Sequence, residues 1–189
     1  MFKKLLIISV FIGLVSCNNS KNKEIDYSAL GKKYTLSTKR ALGKNLMDKI
    51  KNEGTLAALA FCNSKAYFLT DSMSVVQNAT IKRVSDKPRN IKNLANTEEL
   101  QQIEKFKTML LTKQKMIPFV KEEEKRIIFS APIITDGICL QCHGTVRREM
   151  HPAVLKAIKE LYPDDKAIGY DVNEVRGIWK ITFQKPRSE

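Results

Sequence analysis

The sequence is poor in several residue types, and each shortage excludes something. Only two histidines, His143 and His151, occur in 189 residues, together with one tryptophan and four cysteines. The four clustered ligands of a structural zinc site are not visible. The one long apolar run, Leu5 to Val15, is too short to span a bilayer comfortably. Internal repeats and low-complexity tracts are absent. Acidic residues are scarce, at 20 against 33 Lys and Arg, which leaves a net charge of +13. That imbalance suits an acidic partner or an anionic membrane surface. The lysines are spread along the chain and no nucleic-acid motif accompanies them, so nucleic acid is not an expected partner. With 43% hydrophobic and 28% charged residues, most of the chain has the composition of a folded domain.

What is present begins with a targeting pattern. Lys3 and Lys4 precede the apolar run, and Leu14-Val15-Ser16-Cys17 closes it with small residues. A basic start, an apolar stretch and a small-residue end form a secretory signal. The closing tetrapeptide resembles the lipobox of bacterial lipoproteins. It implies cleavage after residue 16 and lipidation of Cys17, so the protein is expected in the cell envelope, exported and lipid-anchored. Residues 17–26 read as a polar tether, 27–184 as one domain and 185–189 as a tail.

Within the domain, Tyr27 to Lys51 has apolar residues at helical spacing, with Gly54 as a stop. Leu56 to Leu69 is apolar nearly all round and predicts a buried helix with Cys62 at its middle. Val75 to Val84 reads as extended and Ser85 to Asn96 as a loop. A helix opens at Thr97, with Ile103, Phe106, Met109 and Leu110 on its apolar face. Arg126 to Thr135 and Val175 to Gln184 read as strands, and Pro152 to Leu161 as a short helix. Helices first and antiparallel-capable strands later indicate an α+β fold.

The chemistry concentrates at Cys139-Leu140-Gln141-Cys142-His143. C-x-x-C-H is the signature for covalent attachment of haem c. Two residues in a helical turn set the sulfurs at the separation of the two haem vinyl groups, and the following imidazole meets the iron. A thiol–disulfide site would use C-x-x-C alone, in a βαβ context that is missing. One covalent haem per chain is expected, with Cys139 and Cys142 as attachment points and His143 as ligand. Candidates for a second ligand are Cys62, His151, Met73, Met116 and Met150. Met150 and His151 are too near His143 in sequence to reach the opposite face without a sharp reversal. A buried free cysteine is commonly a small hydrophobe, so residue type leaves this position open. Propionates need cationic partners, and Arg83, Lys87 and Arg89 lie close together in sequence.

Four segments resemble one family in matching order: Ala60-Phe61-Cys62-Asn63; Lys82 to Asn90; Ala131-Pro132-Ile133 through Cys139 to Gly144; and Tyr162 to Tyr170 with Arg176-Gly177. The family is a widespread bacterial group of c-type haem domains, and the similarity spans roughly 27–183. It implies a PAS-like antiparallel sheet with N-terminal helices packed around one haem, ligated by His143 and Cys62. The chain departs from the family at Ile91, where proline is usual, and at Asn173-Glu174-Val175, where a Gly-Asp pair is usual. Neither change touches an implied ligand. Redox or gas sensing follows as the expected function, with single-haem electron transfer as the alternative. The partner would be an envelope redox or signalling protein, since the chain has no kinase, cyclase or receiver module. Enzymatic activity is not expected; a peroxidase would need a distal acid–base group, for which His151 is a weak candidate.

Overall fold

A computed structural model describes residues 24–185. The signal segment, Cys17 and most of the tether lie outside the described residues. No helix among the described residues is long and apolar enough to cross a membrane.

The chain starts with α1 (Tyr27–Val76), whose N-terminus is capped by the Asp26 carboxylate accepting from the Ala29 amide. The helix is broken at Gly54, where φ 83° and ψ 173° lie in a region essentially reserved for glycine. The predicted stop is therefore a hinge between two helical arms. The second arm folds back, and Gln77 Nε2 at its end donates to Thr38 Oγ1 in the first arm at 3.2 Å. Helix runs on to Val76 where extended chain is expected, and β1 (Thr80–Val84) follows after a turn. A short 3₁₀ turn (Ile91–Asn93) and α2 (Thr97–Leu111) come next. The cap of α2 is Asn96, one residue before the expected start. Its side chain accepts from the Glu99 amide while Glu99 accepts from the Asn96 amide.

Then come β2 (Phe119–Glu122), β3 (Arg126–Ile134), the single turn α3 (Leu140–His143), α4 (Pro152–Leu161) and β4 (Val175–Gln184). The four strands form one antiparallel sheet in the order β1-β4-β3-β2, so the α+β expectation holds. Residue alternation gives the sheet two apolar faces. Phe129, Trp179, Ile181 and Phe183 pack against Tyr27, Leu30 and Tyr34 of the first arm. Gly31 lets this arm lie directly on the sheet, because a Cβ there would sit 2.2 Å from the Phe129 ring. On the other face Val84 and Ile178 pack against Ile103 and Phe106 of α2, and Lys180 of β4 pairs with Glu99 at 2.7 Å. A third cluster joins Leu59 of the second arm to Met150, Val154, Ile158 and Tyr162. The second arm is not buried all round as its composition suggests: Ala58, Leu59, Ala66 and Thr70 face inward, while Ala60, Ser64, Lys65 and Phe68 are exposed.

Candidate cofactor-binding site

The C-x-x-C-H turn is α3, and its start is set by Asp136. The Asp136 carboxylate accepts from the amides of Ile138 and Cys139 and from the Cys139 thiol at 3.1 Å. An Asx-type turn of this kind explains why a single helical turn forms without a longer helix behind it. The S–H bond from Cys139 is the largest influence on Asp136 and holds its carboxyl below the usual range. Thr55 Oγ1, next to the hinge, donates to Gln141 Oε1 at 2.7 Å and so ties α3 to the second arm.

His143 has a fixed tautomer. Its Nδ1 lies 2.7 Å from the Ala167 carbonyl, which can only accept, so Nδ1 carries the proton and Nε2 is bare. The Tyr170 ring stands edge-on to the imidazole, with centroids 6.3 Å apart. Protein surrounds His143 closely, yet the residue keeps accessible surface, which puts it on the floor of a depression. Burial, then the charges of Arg89 and Arg176, holds His143 well below its ordinary pKa, against the opposing bond to Ala167. The imidazole is therefore neutral at neutral pH, as a metal ligand must be.

The structure brings Cys62 to this place from the inner face of the second arm. Cys62 and Cys142 are within electrostatic reach of one another, and all three described cysteines are free and half-buried. Burial pushes the Cys142 thiol up to about 11. It also pushes Cys62 up, against the guanidinium groups of Arg83 and Arg89.

The two arginines differ. Arg83 stands on β1, facing Cys62, Tyr67 and Tyr162, with its guanidinium 5.9 Å from the Trp179 ring centroid. It has no hydrogen-bond or ion-pair partner among the described residues. Arg89 is fully engaged: it donates to Asp165 at 3.1 Å and to the carbonyls of Cys142 at 2.6 Å and Ala167 at 3.2 Å. It thereby clamps the loop of residues 162–170 to α3. Lys87 donates to the Ile168 carbonyl and lies 4.4 Å from the Tyr170 ring centroid.

Two donors that residue type alone did not single out complete the site. Tyr170 Oη and Arg176 Nε are buried and meet no partner with full hydrogen-bond geometry, although Arg176 Nη1 donates to Ser85 at 2.7 Å and the Tyr170 hydroxyl lies near both Ser85 and Arg176. Both residues fall in the segments that carry the family resemblance, which was the available signal. Of the other second-ligand candidates, Met150 is buried in the α4 cluster. His151 is exposed and caps α4 by accepting from the Ala153 amide. Met73 packs on the sheet and Met116 beside α2.

Residues 19–184 match the sequence profile of the Tll0287-like family. No curated protein matches the chain. Among solved structures, the chain is similar to the cyanobacterial haem protein Tll0287. The two are 19% identical, with a TM-score of 0.63 over 87% of this chain and 100% of that one. At this identity the likeness is one of fold.

Proposed function

The chain belongs to the Tll0287-like family, and from that membership we propose that it carries one covalent haem c, attached through Cys139 and Cys142 and ligated by His143 and Cys62. The observation that carries this reading is the bare Nε2 of His143, oriented by the Ala167 carbonyl in the turn that also presents two cysteines outside any disulfide. Partnerless donors support it further. Tyr170 Oη and Arg176 Nε would be satisfied by haem carboxylates, as would the unpaired Arg83 guanidinium. Arg89 already serves Asp165 and two carbonyls, so its proposed role is to hold the histidine turn. The PAS-like description rests on the sheet order β1-β4-β3-β2 with helices on both faces.

When bound, haem supplies one-electron redox chemistry at its iron. The residues of the chain decide how that chemistry is tuned. Arg83 and Arg89 favour the ionised form of Cys62 against the desolvation that opposes it. Among the described residues Cys62 has no hydrogen-bond partner, and it sits on the arm beyond the helix break at Gly54. A ligand held this way can leave while the histidine stays, which favours redox or gas sensing. Electron transfer is the second reading, favoured by the net charge of +13, which would steer the protein to an acidic partner. Export and lipidation at Cys17 remain part of the proposal.

The test begins with the mass of the mature protein made in cells that mature c-type cytochromes. One haem that survives denaturation is expected, and a bare polypeptide mass would overturn the proposal. Paramagnetic resonance of the ferric protein then tests the second ligand. Cys62→Ser should abolish a low-spin thiolate signal, and an unchanged spectrum removes Cys62.

A further inference from the structure

The two thiols of the attachment turn do not stand alike. The Cys142 thiol is half-buried and makes no hydrogen bond among the described residues. The Cys139 thiol donates to Asp136 Oδ1 at 3.1 Å. A thiol is a weak donor, so the short approach reflects the pull of a negative charge. Starting the turn does not require this contact. The same Oδ1 accepts from the Ile138 amide at 3.1 Å and from the Cys139 amide at 3.2 Å, and an asparagine oxygen could accept from both equally well. The bond to sulfur is therefore additional to the cap. Asp136 is exposed, and its Oδ2 has no partner among the described residues. Beside it, a Cβ built on Gly137 would meet nothing within 4 Å. The carboxylate thus faces the sulfur through one oxygen and water through the other.

This placement matters if haem is attached here, the reading on which the inference rests. A thioether forms when a thiol adds across a vinyl double bond. The sulfur bonds to the inner vinyl carbon and the outer carbon gains a hydrogen. One S–H bond and one carbon–carbon π bond are lost, one C–S and one C–H bond are made, and no outside oxidant or reductant enters. As the sulfur bonds to carbon, the hydrogen it still carries becomes strongly acidic, and even a weakly basic carboxylate at hydrogen-bond distance can take it. The outer carbon takes its proton from water, and the carboxyl returns one to water through its exposed oxygen, so protons balance. Once the thioether exists the sulfur has no hydrogen to donate. The bond to Asp136 is thus a feature of the chain that awaits its haem, not of the finished protein.

We propose that Asp136 is a catalytic residue of haem attachment, accepting the proton of the Cys139 thiol as its sulfur adds to a vinyl group, while Cys142 adds without such help.

The test compares the whole mature protein with Asp136→Asn, Asp136→Ala and Cys139→Ser, each made in cells that mature c-type cytochromes and purified with its haem. Iodoacetamide under denaturing conditions caps any cysteine left free, and mass spectrometry of the haem-bearing peptide locates the caps. The pyridine haemochrome spectrum reports independently on vinyl groups left unsaturated. The unaltered protein should carry no cap at Cys139 or Cys142. Asp136→Asn keeps an acceptor for the turn, so haem should stay on Cys142 while the share of chains linked at Cys139 falls about tenfold. Its haemochrome should be red-shifted to match that of Cys139→Ser, and Asp136→Ala should fail at Cys139 as well. Both links at the unaltered yield in Asp136→Asn would overturn the proposal. So would a defect in Asp136→Ala that Asp136→Asn repairs, which assigns the residue to the cap alone, or equal loss of both links in Asp136→Asn, which places the fault in the turn. These three outcomes leave the attachment reading standing. Absence of covalent haem from the unaltered protein would remove that reading and this proposal together.

Discussion

The turn that carries His143 and the arm that carries Cys62 meet at one depression, yet they are held in opposite ways. The histidine side is a mesh of directional bonds: Asp136 fixes the start of the turn, Ala167 the imidazole, and Arg89 both the turn and the following loop. Arg89 and Asp165 are 11% and 6% exposed, so this mesh has a buried ion pair at its centre. The cysteine side is a helix anchored along its length by apolar packing and by side-chain bonds at Thr55, Asn63, Tyr67, Ser74 and Gln77, with a glycine break at one end. One wall of the site is thus set by bonds onto the backbone of the turn itself, and the other by contacts spread along a helix that begins at a glycine break.

The contrast can be broken first at Arg89. Arg89→Leu leaves the buried Asp165 carboxylate without its cation, with only the Ala167 amide donating to it, and should cost about 3–5 kcal/mol in urea unfolding. A loss below 1 kcal/mol would mean that the histidine wall does not depend on its clamp. The next largest effects belong to two of the three glycines of α1, Gly31 and Gly54. Gly31→Ala drives a methyl group into the Phe129 ring and should cost about 1–3 kcal/mol, read as a fall in melting temperature. Gly54→Ala meets open space but demands a backbone conformation alien to alanine, and should cost about 1–3 kcal/mol. If the hinge matters, Gly54→Ala also raises hydrogen exchange in 55–70 while leaving 139–143 and 165–170 unchanged. Uniform acceleration would erase the distinction between the two walls.

The smallest effect comes from a half-exposed pair outside both walls. Burial pushes the Asp86 carboxyl up, but the bond from Lys107 at 2.7 Å, the lysine's charge and two backbone amides together hold it below its usual range. A depressed carboxylate adds stability above the unfolded value near pH 4, and loses it as pH falls through the lower folded value. Lys107→Met should therefore cost less than about 1 kcal/mol at pH 7 and nothing at pH 2, measured by denaturant titration at both.

Much of the architecture is written in local pattern. The helical spacing of α1, the β-branched runs of β3 and β4, and the Pro152 start of α4 each act over a few residues, so each was readable. The histidine turn was readable because its spacing is dictated by chemistry. The hinge was not: a glycine after a lysine-rich turn ends some helices and bends others, and only the return of Gln77 to Thr38 decides between them. The edge strand β2 escaped notice because it is four residues long, with only Phe119 half-buried. Phe68 looked like core because its neighbours are apolar, and composition cannot tell an inward face from an outward one. The clamp made by Arg89 is not legible locally, since its partners, Asp165 and two carbonyls, lie 53 to 78 positions away.

The tilted contact of Tyr27 with Phe183, ring centroids 5.1 Å apart, has a consequence for how the chain can be rewired. The first turn of α1 and the end of β4 are neighbours, so a short glycine–serine bridge could splice the two ends together. New ends could then be opened at Lys113, which sits in an exposed turn with φ 54°. Such a circular permutant would place the edge strand β2 first in the chain and move any N-terminal lipid to the far rim of the sheet, while every residue around His143 kept its neighbours.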